Sequence, residues 1–265
     1  MTKKIVFLTG TRAEFGKLSS LMDSVESDNT FECHIFVTGM HTLEKYGNTF
    51  DEIQKKGYKN VTIFHNQTDV NQQDLILART ITGFSEYVKR ISPDMIIVHG
   101  DRIEALAGAI VGSFNNILVS HIEGGEISGT VDELIRHAVS KLSHIHFTAN
   151  DEAKQRLVQL GESKNSIFTI GSPDIHVMTN VELPTINEVL NHYEIPFKDF
   201  GVFIFHPVTT ELDTLAEQIN EVVLSLIESD KNFIVIYPNN DNLSLIHISE
   251  PTRPRLISYA VFCLK

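Results

Sequence analysis

The chain has 265 residues, 42% hydrophobic and 21% charged, enough to bury the core of one large domain or two smaller ones. Its 22 Lys and Arg against 34 Asp and Glu give a net charge of −12, which excludes a protein living on nucleic-acid phosphates but leaves room for a small anion held by local cations. Two cysteines, Cys33 and Cys263, cannot frame a disulfide scaffold, and the apolar run 5–8 is too short for a secretion signal or a membrane span, so a cytoplasmic protein without a membrane partner is expected.

In chain order, short β-branched runs alternate with amphipathic stretches. Strands are predicted at 5–8, 34–37, 61–64, 95–98, 117–119, 144–148 and 167–170, and helices at 17–25, 75–91, 104–114, 132–142 and 153–160. Apolar strands that do not alternate, separated by helices, indicate a parallel sheet covered on both faces. Residues 1–171 therefore read as one doubly wound, Rossmann-like α/β domain. The next stretch, 172–196, holds Pro173, Pro184 and Pro196 and reads as a linker with a short helix. The alternation then restarts, with a strand at 202–205, a helix at 212–228 and a strand at 233–237. A second Rossmann-like domain thus begins within 172–242, but only one βαβ unit of it is legible.

From Leu243 the rhythm breaks, with Pro251 and Pro254 inside the remaining segment. Residues 243–265 resemble the in-frame translation of a sequencing-library adapter. The expectation is a non-native tail after a second domain cut short near Asn242. The tail carries Arg253, Arg255 and Lys265 against Glu250, so the body without it is more acidic and keeps Cys33 as its only cysteine.

In a parallel sheet, ligands bind beyond the carboxyl ends of the strands. After the first strand comes Thr9-Gly10-Thr11-Arg12-Ala13-Glu14-Phe15-Gly16-Lys17, a tight turn into a helix start, with Arg12 and Lys17 as cations suited to a diphosphate. It is neither a GxGxxG nor a Walker loop, which disfavours a nicotinamide or P-loop reading. After the strand at 95–98 comes His99-Gly100-Asp101-Arg102, and after 117–119 comes Ser120-His121-Ile122-Glu123-Gly124-Gly125-Glu126. Asp101 reads equally as a helix cap or as a crevice carboxylate. Glu123, before a glycine pair, suits close approach of a substrate. On the next helix Glu133, Arg136, His137 and Ser140 share one face, read either as an exposed ion-paired face or as a face aimed at the crevice. His206 ends the first strand of the second domain, where an imidazole titrates usefully near neutral pH. His144 and His146 have one-face strand spacing, but no third ligand stands at a telling distance, so they are read as structural.

Together these segments resemble the hydrolysing UDP-N-acetylglucosamine 2-epimerases of the sialic-acid pathway type. The likeness runs through Thr11 to Lys17, Gly39-Met40-His41, Tyr46-Gly47-Asn48-Thr49, His99 to Arg102, His121 to His137, Gly171-Ser172-Pro173 and Phe205-His206-Pro207. It covers residues 1–242 and is most specific over 123–146. It implies a two-domain glycosyltransferase-B architecture, with the second domain incomplete, and a homo-oligomer in the full-length form. It also implies elimination of UDP from UDP-N-acetylglucosamine to a glycal, then hydration to N-acetylmannosamine, with no cofactor and no metal. Carried over position by position, Asp101, Glu123, Glu133 and His206 match the catalytic residues. Arg12 and Lys17 match diphosphate contacts, and Arg102 and Asn239 match weaker substrate contacts. The competing readings are a glycosyltransferase of the same architecture and an inert nucleotide-sugar-binding fragment.

Overall fold

A computed structural model describes residues 2–44, 49–67, 72–129, 131–180, 183–205, 212–236 and 261–264. The chain forms two compact units, Met1–Val181 and Glu182–Lys265. In the first, β1 (Lys3–Thr9) leads to α1 (Arg12–Ser27), β2 (Phe31–Val37), α2 (Phe50–Lys55), β3 (Asn60–Ile63) and α3 (Gln73–Ile91). The chain continues through β4 (Met95–His99), α4 (Ile103–Phe114), β5 (Leu118–Ile122), α5 (Val131–Lys141), β6 (Ile145–Thr148), α6 (Asp151–Gln159), β7 (Ile167–Thr169) and α7 (Pro173–Asn180). All seven strands are parallel, in the order β3-β2-β1-β4-β5-β6-β7. The chain winds outward from β1 to β3, then crosses back to β4 and winds the other way. Its switch point lies between β1 and β4, where a doubly wound sheet leaves a crevice.

The sheet is apolar on both faces because both are covered. Val6 and Leu8 of β1 pack on one side with Phe36, Phe84, Ile96, Val98 and Val119. Ile5 and Phe7 pack on the other with Leu18, Met22, Ile35, Val37 and Ile97. Each such side chain, fully buried, contributes about 1.5–3 kcal/mol. This is why the strands show no polar–apolar alternation.

Each predicted element of the first unit is present, with shifted ends. β5 runs to Ile122 rather than to 119, which brings Glu123 to the strand's end. α1 starts earlier than its apolar period suggests, because Thr11 and Glu14 form a capping box: Thr11 Oγ1 accepts from the Glu14 N–H at 3.3 Å, and Glu14 Oε2 accepts from the Thr11 N–H at 3.0 Å. The first unit also extends to Val181 rather than 171. Here α7 packs against α1, with polar contacts described below, so the first ten residues of the expected second domain fall with the first unit.

The second unit contains α8 (Ile186–His192), β8 (Gly201–Ile204), α9 (Leu215–Glu228), β9 (Phe233–Ile236) and β10 (Val261–Leu264). β8 pairs parallel with β9, as the βαβ reading requires, whereas β10 pairs antiparallel with β9. β10 belongs to the tail segment; residues 243–260 of that tail lie outside the described residues. The buried apolar cluster of this unit is small, Leu190, Ile195 and Ile234 with Phe197, Phe200 and Ile236 around them, and Val202, Ile204, Leu224 and Ile227 are exposed. Among the described residues no helix is long and apolar enough to cross a membrane.

Candidate active site

The loops after β1, β4 and β5 meet at the switch point, and three linked groups of charged side chains lie there. The first centres on Glu123. Its backbone sits in the left-handed region, φ 59°, a conformation that costs a non-glycine residue of order 1–3 kcal/mol and persists only where surroundings enforce it. Here the Glu123 N–H donates to Phe147 O at 2.8 Å. Its Oε2 accepts from Lys17 Nζ at 2.8 Å and pairs with His99 Nε2 at 3.0 Å, while Oε1 accepts from Ser172 Oγ at 2.9 Å. Burial works to raise the Glu123 pKa, but the His99 and Lys17 contacts outweigh it and hold the carboxyl well below the usual range. Burial likewise pulls Lys17 down, yet Glu123, helped by Asp174 at 3.3 Å, carries its ammonium above the ordinary value. The pair is ionised.

The second group centres on Asp101, in the turn after β4. It pairs with Arg136 of α5 through Oδ2 and Nη2. The same guanidinium donates to Glu126 O at 3.1 Å and reaches Ser128 Oγ at 3.4 Å. Glu133 works on that loop too, accepting from the N–H groups of Ser128 and Gly129 at 2.8 and 2.9 Å. These two backbone donors lower its pKa. The α5 face is therefore not merely an exposed ion-paired face. Arg136 and Ser140 are buried and reach back to the crevice, whereas Glu133 secures the loop between Glu123 and α5.

The third group lies under the β1–α1 turn. Glu104, 1% exposed, faces Arg102 with Nε to Oε2 at 3.5 Å. Buried Glu14 accepts from the Gly10 N–H at 2.7 Å; burial raises its pKa, against the lowering effect of Arg102. Gly39, at φ 63°, is required here, because a Cβ would lie 2.6 Å from Gly10 O and 2.7 Å from Glu104 Oε1. Arg12 pairs with Glu52 of α2 at 3.0 Å.

Histidines brace these turns. His121 Nε2 lies 2.7 Å from Gly100 O, and its Nδ1 lies 3.0 Å from Ser140 Oγ; the ring thus holds the turn that carries Asp101. His144 Nδ1 accepts from the Val119 N–H at 3.1 Å, and buried His146 faces Glu162 Oε2 at 3.4 Å. Both serve the sheet. His41 spans Thr9 Oγ1 at 3.1 Å and Thr49 Oγ1 at 2.7 Å.

Burial lowers the imidazole pKa to about 3 at His121 and about 4 at His41. Unfolded, both titrate at about 6.5, so between that value and about 4 the unfolded chain binds protons that the folded chain refuses. Stability from these two groups is complete above pH 6.5 and is lost as pH falls through the window. Glu14, raised by burial, works in the opposite sense above its ordinary value. Thermal unfolding from pH 7.5 to 4.5 is expected to show stability already falling below 6.5, with a net uptake of protons on unfolding. A flat profile down to pH 5 would contradict the buried neutral rings.

Of the residues singled out from sequence, the fold unites Lys17 with Glu123 and Asp101 with Arg136, and places Arg102 in the turn before α4 and Glu133 in the first turn of α5. His206, Asn239 and residues 46–48 lie outside the described residues. His99, Ser172, Asp174 and Glu104 belong to the site without being singled out by the sequence pattern. His99 and Ser172 carried a usable signal, each lying within three residues of a strand's carboxyl end; Glu104 looked like any residue in a helix's first turn.

The family model described as UDP-N-acetylglucosamine 2-epimerase matches residues 23–257. A UDP-N-acetylglucosamine 2-epimerase of Neisseria meningitidis serogroup B is 47% identical over 239 residues, covering 90% of this chain and 63% of its own length. A UDP-N,N'-diacetylbacillosamine 2-epimerase (hydrolyzing) of Legionella pneumophila is 36% identical, covering 91% of this chain and 65% of its own length. The chain thus spans a little under two thirds of these relatives. A crystal structure of a UDP-GlcNAc 2-epimerase from Neisseria meningitidis bound to UDP-GlcNAc superposes with a TM-score of 0.76 at 18% identity, over 91% of this chain and 67% of that one. At that identity the likeness speaks for the fold.

Proposed function

Because the chain belongs to the UDP-N-acetylglucosamine 2-epimerase family, we propose that it represents the hydrolysing kind. Completed to the length of its relatives, the protein eliminates UDP from UDP-N-acetylglucosamine and hydrates the resulting 2-acetamidoglucal. The product is N-acetylmannosamine, for sialic-acid-type sugar synthesis. The observation that carries this reading is the pair of fixed carboxylates at neighbouring strand ends, Glu123 after β5 and Asp101 after β4, with the Lys17 cation bound to the first. The relative named as hydrolyzing supports the water-adding step.

The chemistry asks for this arrangement. A base takes the proton from carbon 2 while the carbon 1–oxygen bond breaks and its electron pair leaves with UDP. Water oxygen then bonds carbon 1, and a proton returns to carbon 2 on the opposite face. Two or three carboxylates in distinct environments can divide the acid and base work, and Asp101, Glu123 and Glu133, with His206, are assigned to it. Lys17 and Arg12, at the start of α1, answer the charge on the leaving diphosphate, with Arg102 and Asn239 as further substrate contacts. When a diphosphate takes Lys17, Glu123 loses one of the two contacts that hold its pKa down and becomes a better base.

The experiment supplies UDP-N-acetylglucosamine to the completed chain without an acceptor. Equal amounts of UDP and N-acetylmannosamine are expected. UDP released only with an acceptor sugar would favour a transferase, and UDP-N-acetylmannosamine as product would favour the non-hydrolysing reaction. The 265-residue chain itself is expected to release only traces of UDP, since among its described residues the second unit buries four apolar side chains, Leu190, Ile195, Leu215 and Ile234, a thin support for a nucleotide pocket. Stoichiometric release would overturn that expectation.

A further inference from the structure

We propose that Ser172 is a positioning residue for Glu123, so that the segment on which the chain leaves its first unit is built into the site. The contact stands on geometry, and only its consequence for turnover rests on the reading of Glu123 as catalytic. Glu123 receives donors on both oxygens, Oε2 from Lys17 and His99 on one side and Oε1 from Ser172 on the other. The terminal torsion of a glutamate is broad, so donors at one oxygen leave the carboxylate plane free to swing. A donor at the second oxygen sets it.

The Ser172 hydroxyl also accepts the N–H of Asp174 at 3.4 Å, at the start of α7. A serine hydroxyl can donate one hydrogen bond and accept another, and both capacities are in use. Asp174 in turn places Oδ2 3.3 Å from Lys17 Nζ. The contacts close a ring, Glu123 to Ser172 to Asp174 to Lys17 and back to Glu123, joining α1, the end of β5 and α7. The charged or titratable groups facing Glu123 are Lys17 from α1 and His99 from β4, with Asp174 facing Lys17. Ser172 is the uncharged member that ties α7 to the carboxylate.

The test follows the Glu123 carboxyl carbon by NMR at neutral pH in the 265-residue chain, where the carboxylate is ionised and no turnover is needed. Ser172→Gly keeps a residue tolerated at a helix start but removes the donor. The Glu123 carboxyl resonance is expected to move away from its parent position, and Ser172→Thr, which keeps a hydroxyl, to hold it. An unmoved resonance in Ser172→Gly, with the thermal transition intact, overturns the proposal. In the completed chain Ser172→Gly should lower kcat about tenfold with KM little changed, and Ser172→Thr should restore it. A fully active Glu123→Gln variant would sink the catalytic reading alone and leave the NMR result standing.

Discussion

Glu123→Gln in the completed chain is expected to lower kcat by about a thousandfold, within the span of a lost general acid or base, while UDP binding stays within a few-fold. Glutamine keeps the shape, so the left-handed turn at 123 survives, but the carboxylate charge does not, and the amide offers its acceptor oxygen to only one of the two donor sets. Lys17 loses its nearer anionic partner and keeps Asp174 at 3.3 Å, which leaves it freer to meet a diphosphate. The damage therefore belongs in kcat and not in KM, the pattern of an interaction made only in the transition state. Steady-state kinetics with a coupled UDP assay, beside calorimetric UDP titration, separates the two. Turnover within tenfold of the parent would remove Glu123 from the chemistry. Asp101→Asn should also lose activity but differs in kind, because Asp101 is a partner of Arg136, whose other contacts hold the loop at Glu126 and Ser128. Its variant should loosen that loop, read as faster amide exchange at 126–129, where Glu123→Gln should not.

Much of this could be read from residues alone, and the reasons are specific. Unalternated runs such as Ile5-Val6-Phe7-Leu8 announced strands buried on both faces, and the parallel sheet followed. Its crossover rule then pointed to the strand ends, where Asp101 and Glu123 stand. Partnership was not legible. Periodicity put Glu133 and Arg136 on one face of α5 but could not say that Arg136 reaches a residue 35 positions earlier while Glu133 turns to local N–H groups. Nor could it assign residues 172–180 to the first unit, since a proline-bearing stretch between two βα patterns looks like a linker. What claims that stretch is tertiary, the contacts from Ser172 to Glu123 and from Asp174 to Lys17. Glu104 was hidden for a similar reason, because its burial depends on Gly10 and Gly39 leaving room for it.

Gly125→Ala is expected to destabilise the 265-residue chain by about 3 kcal/mol or more, a fall of about 10 °C in Tm for a unit of this size. Two costs combine. Gly125 has φ 84°, where an alanine pays about 1–2 kcal/mol for the left-handed backbone. Its new Cβ would also lie 2.4 Å from Ala153 O and 3.1 Å from Leu157 Cγ. The first of those is helix backbone in α6, which cannot rotate away, and both residues are fully buried. Gly57 separates the two costs, since its φ is 79° and nothing lies within 4 Å of a Cβ there. Gly57→Ala should therefore lose only the conformational part, about 3–6 °C in Tm. Equal losses at both positions would show that contact with α6 counts for little. A much larger loss at Gly125 would mean that the β5–α5 loop is pressed against the body of the domain directly after Glu123. Gly124 supports the same conclusion, for a Cβ there would stand 2.8 Å from His121 Nδ1 and 2.9 Å from Ser140 Oγ. The glycine pair lets the chain turn tightly enough at the end of β5 to aim Glu123 at Lys17 and His99. The packing that stabilises the sheet's covering layer is thus also the packing that orients the carboxylate.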